Sequence, residues 1–171
     1  MTEETLKRKI RTHLEKDFVV LEEVEGRHAG YGQVVRIDFM LKAKSHLIAQ
    51  GFTDEWFGIE CKWASGVIGQ TSKITRMFWQ SITYAQSSYV IAGNPITPVF
   101  VAVFVPDSLE PSIENHFKSL SQLALYGNVG ELYFYRDGNW GIKFTYIYAR
   151  STEDGFHISE KRLPKRRAGH V

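Results

Sequence analysis

Apolar residues recur along this chain with two different periods, and the switches between them divide it into helices and strands. Residues 2–16 place Leu6, Ile10 and Leu14 four apart, the stripe of an amphipathic helix, with Thr2 as N-cap ahead of Glu3 and Glu4. Residues 18–25 read as a strand and 26–32 as a loop. Residues 33–41 alternate strictly, so Val35, Ile37, Phe39 and Leu41 fall on one face and Val34, Arg36, Asp38 and Met40 on the other. Residues 43–50 fit either a short helix ending at Gly51 or the far arm of a hairpin. Residues 56–63 are a short buried strand, with Phe57, Ile59, Cys61 and Trp63 opposed to Gly58, Glu60 and Lys62.

A glycine-punctuated loop over 65–70 leads into a helix predicted over 72–89, with Ser72 as N-cap. Ile74, Phe78, Ile82, Ala85 and Tyr89 take one side of it; Lys73, Arg76, Gln80, Tyr84 and Ser87 take another. Residues 98–105 are apolar throughout after Pro98, as a central strand covered on both faces would be. Pro111 suits the first turn of a helix reaching 125. Residues 131–135 and 140–148 form a hairpin turned by Arg136-Asp137-Gly138-Asn139. The order predicts an α/β fold, a three-layer sandwich whose central mixed sheet has about four to six strands flanked by helices. There is no repeat and no linker, so a single domain over 1–155 is expected, with a basic tail over 156–171.

Composition narrows the classes. The 171 residues suit one domain, and 43% hydrophobic with 13% aromatic residues can fill its core. No apolar run has the length of a membrane span, and the polar, acidic N-terminus argues against a secretory signal. The single cysteine, Cys61, excludes an internal disulfide and a thiolate zinc site, and a cytoplasmic chain is expected. A net charge of +2 is too mild to identify a nucleic-acid partner. Five cations do crowd into 161–167, either as a solvated tail or as a phosphate-contacting one.

A lone Asp38 inside an apolar strand is informative, because strands disfavour Asp and burying a bare carboxylate is costly. Sequential strands usually pair, and the register that aligns their apolar faces also gathers Asp38, Glu60 and Lys62. Glu60 and Lys62 could be an ordinary ion pair, but that leaves Asp38 unmatched unless Arg36 turns to it. Two neighbouring carboxylates call for a cation between them. Mg²⁺ suits them, binding carboxylate, water and phosphate oxygens, and would activate water against a phosphodiester. Lys62 could then orient that water or offset charge on the phosphate oxygens.

Arg36-Ile37-Asp38, Ile59-Glu60-Cys61-Lys62 and Gln80-Ser81-Ile82-Thr83-Tyr84 together resemble the PD-(D/E)XK nuclease superfamily, the Gln-x-x-x-Tyr element resembling its RecB-like branch. The resemblance covers residues 2–105 and implies a restriction-endonuclease-like core. It also implies a Mg²⁺- or Mn²⁺-dependent nuclease hydrolysing DNA by attack of metal-activated water. Asp38 and Glu60 would be metal ligands and Lys62 the catalytic lysine, while Gln80 and Tyr84 would line the site and touch DNA alongside Lys73, Arg76 and Arg36. Ile37 replaces the family's usual proline, and the step from Asp38 to Glu60 is long. For the first-helix acid Glu3, Glu4 and Glu15 are candidates, with Glu15 or Glu4 as a third ligand; His13 or His28 could fill the branch's histidine position. Such a nuclease would act in DNA repair or recombination, and a homodimer would supply the two sites that two-strand cleavage needs. The competing reading is a catalytically inactive module of the same fold that binds nucleic acid or protein; an RNA-directed nuclease is the remoter one. Trp56, Trp63, Phe78 and Trp79 are expected in the core, Cys61 is expected to face it, and His116 and His157 are expected on the surface.

Overall fold

The chain opens with α1 (Glu3–Leu14), formed as its pattern requires. Thr2 caps it, its hydroxyl accepting the Thr5 N–H at 3.2 Å, and Leu6, Ile10 and Leu14 are buried. Each such burial contributes about 1.5–3 kcal/mol. This is a computed structural model that describes residues 2–63, 69–106, 109, 111–144, 147–152 and 155–160. After α1 come β1 (Phe18–His28), β2 (Val34–Ala43), the single-turn α2 (Ser45–Ile48) and β3 (Phe57–Cys61). Then follow α3 (Gln70–Ala85), β4 (Ser87–Ile91), β5 (Asn94–Ile96), β6 (Val101–Phe104) and α4 (Pro111–Ala124), which runs on into a 3-10 turn, Leu125–Gly127. Four strands close the described chain: β7 (Val129–Phe134), β8 (Trp140–Phe144), β9 (Ile147–Thr152) and β10 (Gly155–Glu160).

All ten strands join one mixed sheet in the order β10-β9-β8-β7-β6-β3-β2-β1-β4-β5. β1, β2 and β3 form an antiparallel meander, β3 and β6 pair parallel, as do β6 and β7, and the rest is antiparallel. One face packs on α1: Leu6, Ile10 and Leu14 share a core with Phe39, Leu41, Phe57, Ile59, Cys61 and Ala102. Phe18, Phe52, Phe57 and Trp140 interlock there edge to face or tilted, geometries that ring quadrupoles favour. The Trp140 indole donates to Asp17 Oδ2 at 2.7 Å. On the opposite face Ile74, Met77 and Phe78 of α3 pack with Val103, Ala124 and Val129. The three-layer α/β sandwich is therefore the architecture, and the site lies where its central strands meet α1 and α3.

The sheet has ten strands where four to six are expected. β1 continues through Gly26 to His28, where a loop is expected, because β4 pairs with that extension. α3 starts at Gln70, after an N-cap Gly69 in the left-handed region at φ +81°, rather than after an N-cap at Ser72, and it stops at Ala85 instead of reaching 89. Tyr89 and Ser87 belong to β4. Ala92 and Gly93, at φ +50° and +80°, make the two-residue turn into β5, the conformation that two-residue hairpins favour. Residues 43–50 resolve as the helix rather than the hairpin arm. β9–β10 pairing extends to Glu160, into the stretch expected as a basic tail; the basic run over 161–167 lies outside the described residues.

Candidate active site

β2 is irregular at one residue, and that residue is Asp38. The β1–β2 register runs unbroken on both sides but omits the Glu23/Asp38 pair, stepping from Glu22↔Phe39 to Val24↔Ile37. Glu23 sits at φ +51°, a left-handed conformation rare outside glycine. On the other edge the β2–β3 ladder ends at Phe39↔Ile59. Beyond it the Asp38 side chain takes over from the main chain, Oδ2 accepting the Cys61 N–H at 2.8 Å. Side-chain alternation resets at this break, which corrects the expected faces. Val35 and Ile37 pack with Met40, Tyr84 and Tyr89, while Phe39 and Leu41 pack beneath α1.

Asp38 and Glu60 are both buried, at 8% and 5% exposure. Asp38 Oδ1 forms a salt bridge with Lys7 of α1, and Lys7 Nζ also reaches Glu23 Oε1 at 2.6 Å. Burial alone would lower the Lys7 ammonium, but the hydrogen bonds and charges of Asp38 and Glu23 outweigh it and push it up. Burial raises the Asp38 carboxyl above its ordinary range, and the bonds from Lys7 and Cys61 hold that rise back. Glu60 has less help. It pairs in the β3–β6 ladder with Val103, which packs under α3, and its Oε2 is buried with no hydrogen-bond partner. Burial, then the neighbouring Asp38 charge, pushes the Glu60 carboxyl up to about 9 despite Lys62 and Lys7.

Lys62 follows β3 and bonds to Glu3 in the first turn of α1 at 3.3 Å. Glu3 Oε2 also accepts the Trp63 N–H at 3.5 Å. The ion pair the sequence allowed between Glu60 and Lys62 is therefore replaced by Lys62–Glu3, and Asp38 is matched by Lys7 rather than Arg36. Glu3 is the acid that α1 brings to the site. Glu15, at the far end of α1, pairs with Arg11, and Glu4 faces solvent near Arg8. His13 packs on Phe134 and His28 bonds to Gln86, so neither histidine reaches the site.

From α3, Gln80 is half-buried and Tyr84 buried, with Gln80 Nε2 donating to the Tyr84 hydroxyl at 3.3 Å. They do not form a solvated helix face. Burial first, then the Glu60 and Asp38 charges, push the Tyr84 phenol up, and Gln80 Oε1 is, among the described residues, the other buried acceptor without a partner. Lys73 and Arg76 are exposed on α3, and Arg36 is exposed and bonded to Glu23 at 3.0 Å. Trp79 is 73% exposed rather than buried, while Phe78 is in the core. Cys61 is buried as expected and its thiol is pushed up by burial. His116 is half-buried and shares a hydrogen bond with Thr75; the side chain of His157 lies outside the described residues.

Lys7 and Glu23 are the site residues that sequence reasoning missed. Lys7 looks like any cation on the polar side of an amphipathic helix, though its place one turn after Glu3 was a usable hint. Glu23 carries no signal, because its role depends on a backbone irregularity. Among the described residues no three His, Cys, Asp or Glu side chains converge as a ready metal cage. The donor set still fits a hard cation. Mg²⁺ needs only one or two carboxylates beside water and phosphate oxygens, and the site offers a buried acidic pair with a partnerless Glu60 oxygen. Comparison with protein-family models, with curated proteins and with solved structures found no match. Among the described residues no helix is long and apolar enough to cross a membrane.

Proposed function

We propose that the protein is a divalent-metal-dependent nuclease that hydrolyses DNA phosphodiester bonds, with Asp38 and Glu60 as metal ligands and Lys62 as the catalytic lysine. The observation that carries this reading is the partnerless, buried Glu60 oxygen beside Asp38. A buried acceptor left alone is costly and calls for a donor or an ion. Mg²⁺ or Mn²⁺, when bound there, would supply Lewis-acid polarisation of the phosphate and a water made acidic near neutrality. The chain's own residues do the rest. Glu60 would release its proton to solvent on serving as a ligand, and the Cys61 N–H holds the Asp38 carboxylate. Lys62, oriented by Glu3, faces charge that develops on the phosphate oxygens. Gln80 and Tyr84 close the α3 side, and the exposed Lys73 and Arg76 offer phosphate contacts. Two-strand cleavage would call on a second copy of this site.

The test is cleavage of single-stranded, duplex and branched DNA, with RNA in parallel, in Mg²⁺ or Mn²⁺. Asp38→Ala and Lys62→Ala should each lower the rate by about a hundredfold or more. Activity that survives both would remove the assignment. One observation favours a second reading, a catalytically inactive binding module of the same fold: Lys7 and the Cys61 N–H already engage both Asp38 oxygens. Such a module would bind DNA or protein with no cleavage of any substrate in the panel.

A further inference from the structure

We propose that Lys7 is the built-in counter-cation of Asp38 and competes with the divalent ion, which can bind fully only as the ammonium withdraws from Asp38 and remains on Glu23. This rests on the metal reading above. Three observations carry it. The Lys7 ammonium already lies on Asp38 Oδ1, the free side of a carboxylate whose other oxygen is held by the Cys61 N–H. A monovalent and a divalent cation cannot crowd the same buried oxygen without strong repulsion. Lys7 also has somewhere to go. Its ammonium is shared with Glu23 at 2.6 Å, and it lines a solvent-open cleft of about 320 Å³ beside Asp38, Arg8 and Arg11.

Glu23 is the unusual partner. It holds a left-handed backbone at φ +51° at the one place where the β1–β2 register is interrupted, opposite Asp38. Such a conformation costs about 1–3 kcal/mol and persists where the surroundings fix it. Here it keeps a second carboxylate within reach of Lys7 while leaving Asp38 its own position. Lys7 thus screens two acids in the metal-free protein and keeps one acid when the other takes metal.

Calorimetric titration of the intact protein with Mn²⁺ tests this without reading activity. Lys7→Met should bind Mn²⁺ at least tenfold more tightly than wild type, which is about 1.4 kcal/mol. Removal of any nearby cation would raise Mn²⁺ affinity a little, so Arg36→Met, which loses a charge on Glu23 but no contact with Asp38, is the matched control and should shift affinity far less. Equal shifts in the two variants, or no shift in Lys7→Met, would overturn the competition. Glu23→Gln, at a half-exposed position that should fold normally, reads the same device in reverse. Losing its retreat, Lys7 stays on Asp38, and Mn²⁺ should bind severalfold more weakly than in Glu22→Gln, whose carboxylate pairs with Arg11. Equal affinities in that pair count against the role of Glu23. Mn²⁺ uptake that is absent in wild type and all variants, or independent of Asp38 and Glu60, removes the metal reading itself, a failure distinct from an unaltered Lys7→Met.

Discussion

At the scale of single residues, the site is a problem of buried charge, and Glu60 is its most exposed weakness. Burial beside Asp38 pushes its carboxyl up to about 9, against an ordinary value of 4.5. Between these values the folded state holds a proton that the unfolded chain has lost. The contribution is therefore complete below the ordinary value and falls as pH rises towards the folded one, by up to ~1.4 kcal/mol per pH unit. Glu60→Gln cannot titrate, so its stability should change less steeply across that window and exceed wild type at the alkaline end. Urea unfolding of both proteins over the window checks it; parallel curves would mean that Glu60 is not held neutral. Asp38 and Glu60 could be picked out from sequence because a lone acid within an apolar strand has few innocent explanations. Lys7, Glu3 and Glu23 could not be ranked that way, since charged residues are ordinary on an amphipathic helix and on the exposed side of a strand.

At the scale of elements, the pairing of β2 with β3 was legible, but the reason Asp38 meets Glu60 was not simple alternation. The β2 faces reset at Asp38, so Ile37 turns towards α3, where its Cδ1 would lie only 2.4 Å from a Cβ added at Gly58. Val101 stands 3.1 Å away on the other side. Gly58→Ala should therefore overpack the sheet beneath the site and cost about 1–3 kcal/mol. An unchanged midpoint in denaturant would show that β2 and β3 are not so tightly apposed. The β4–β5 hairpin escaped notice because Ile82, Ala85 and Tyr89 continue a helical spacing across the end of α3. The local signal against helix was Tyr89-Val90-Ile91 followed by Gly93-Asn94, β-favouring residues and a turn. β9 and β10 were hidden by their polar composition, since sheet pairing at an edge is a matter of main-chain hydrogen bonds that side-chain patterning reports only weakly.

At the scale of the whole molecule, a ten-stranded sheet holds α1 on one side and α3 with α4 on the other. The site forms where strands from its centre meet the starts of two layers. Both helices supply what the strands lack: α1 brings Glu3 to the end of β3 and Lys7 to the middle of β2, and α3 brings Tyr84, bonded to Gln80, near Glu60 and Asp38. Lys73, Arg76 and Trp79 are exposed on α3, which makes that helix the place to test the proposed phosphate contacts. The proposed nuclease activity and the role of Lys7 both depend on one property, that the Asp38–Glu60 pair accepts a divalent cation. Anomalous diffraction from crystals soaked in Mn²⁺ measures it directly. A peak at the Asp38–Glu60 pair, with the Lys7 ammonium moved off Asp38 and onto Glu23, is the predicted result; no peak there, with Lys7 still on Asp38 at saturating Mn²⁺, would contradict it.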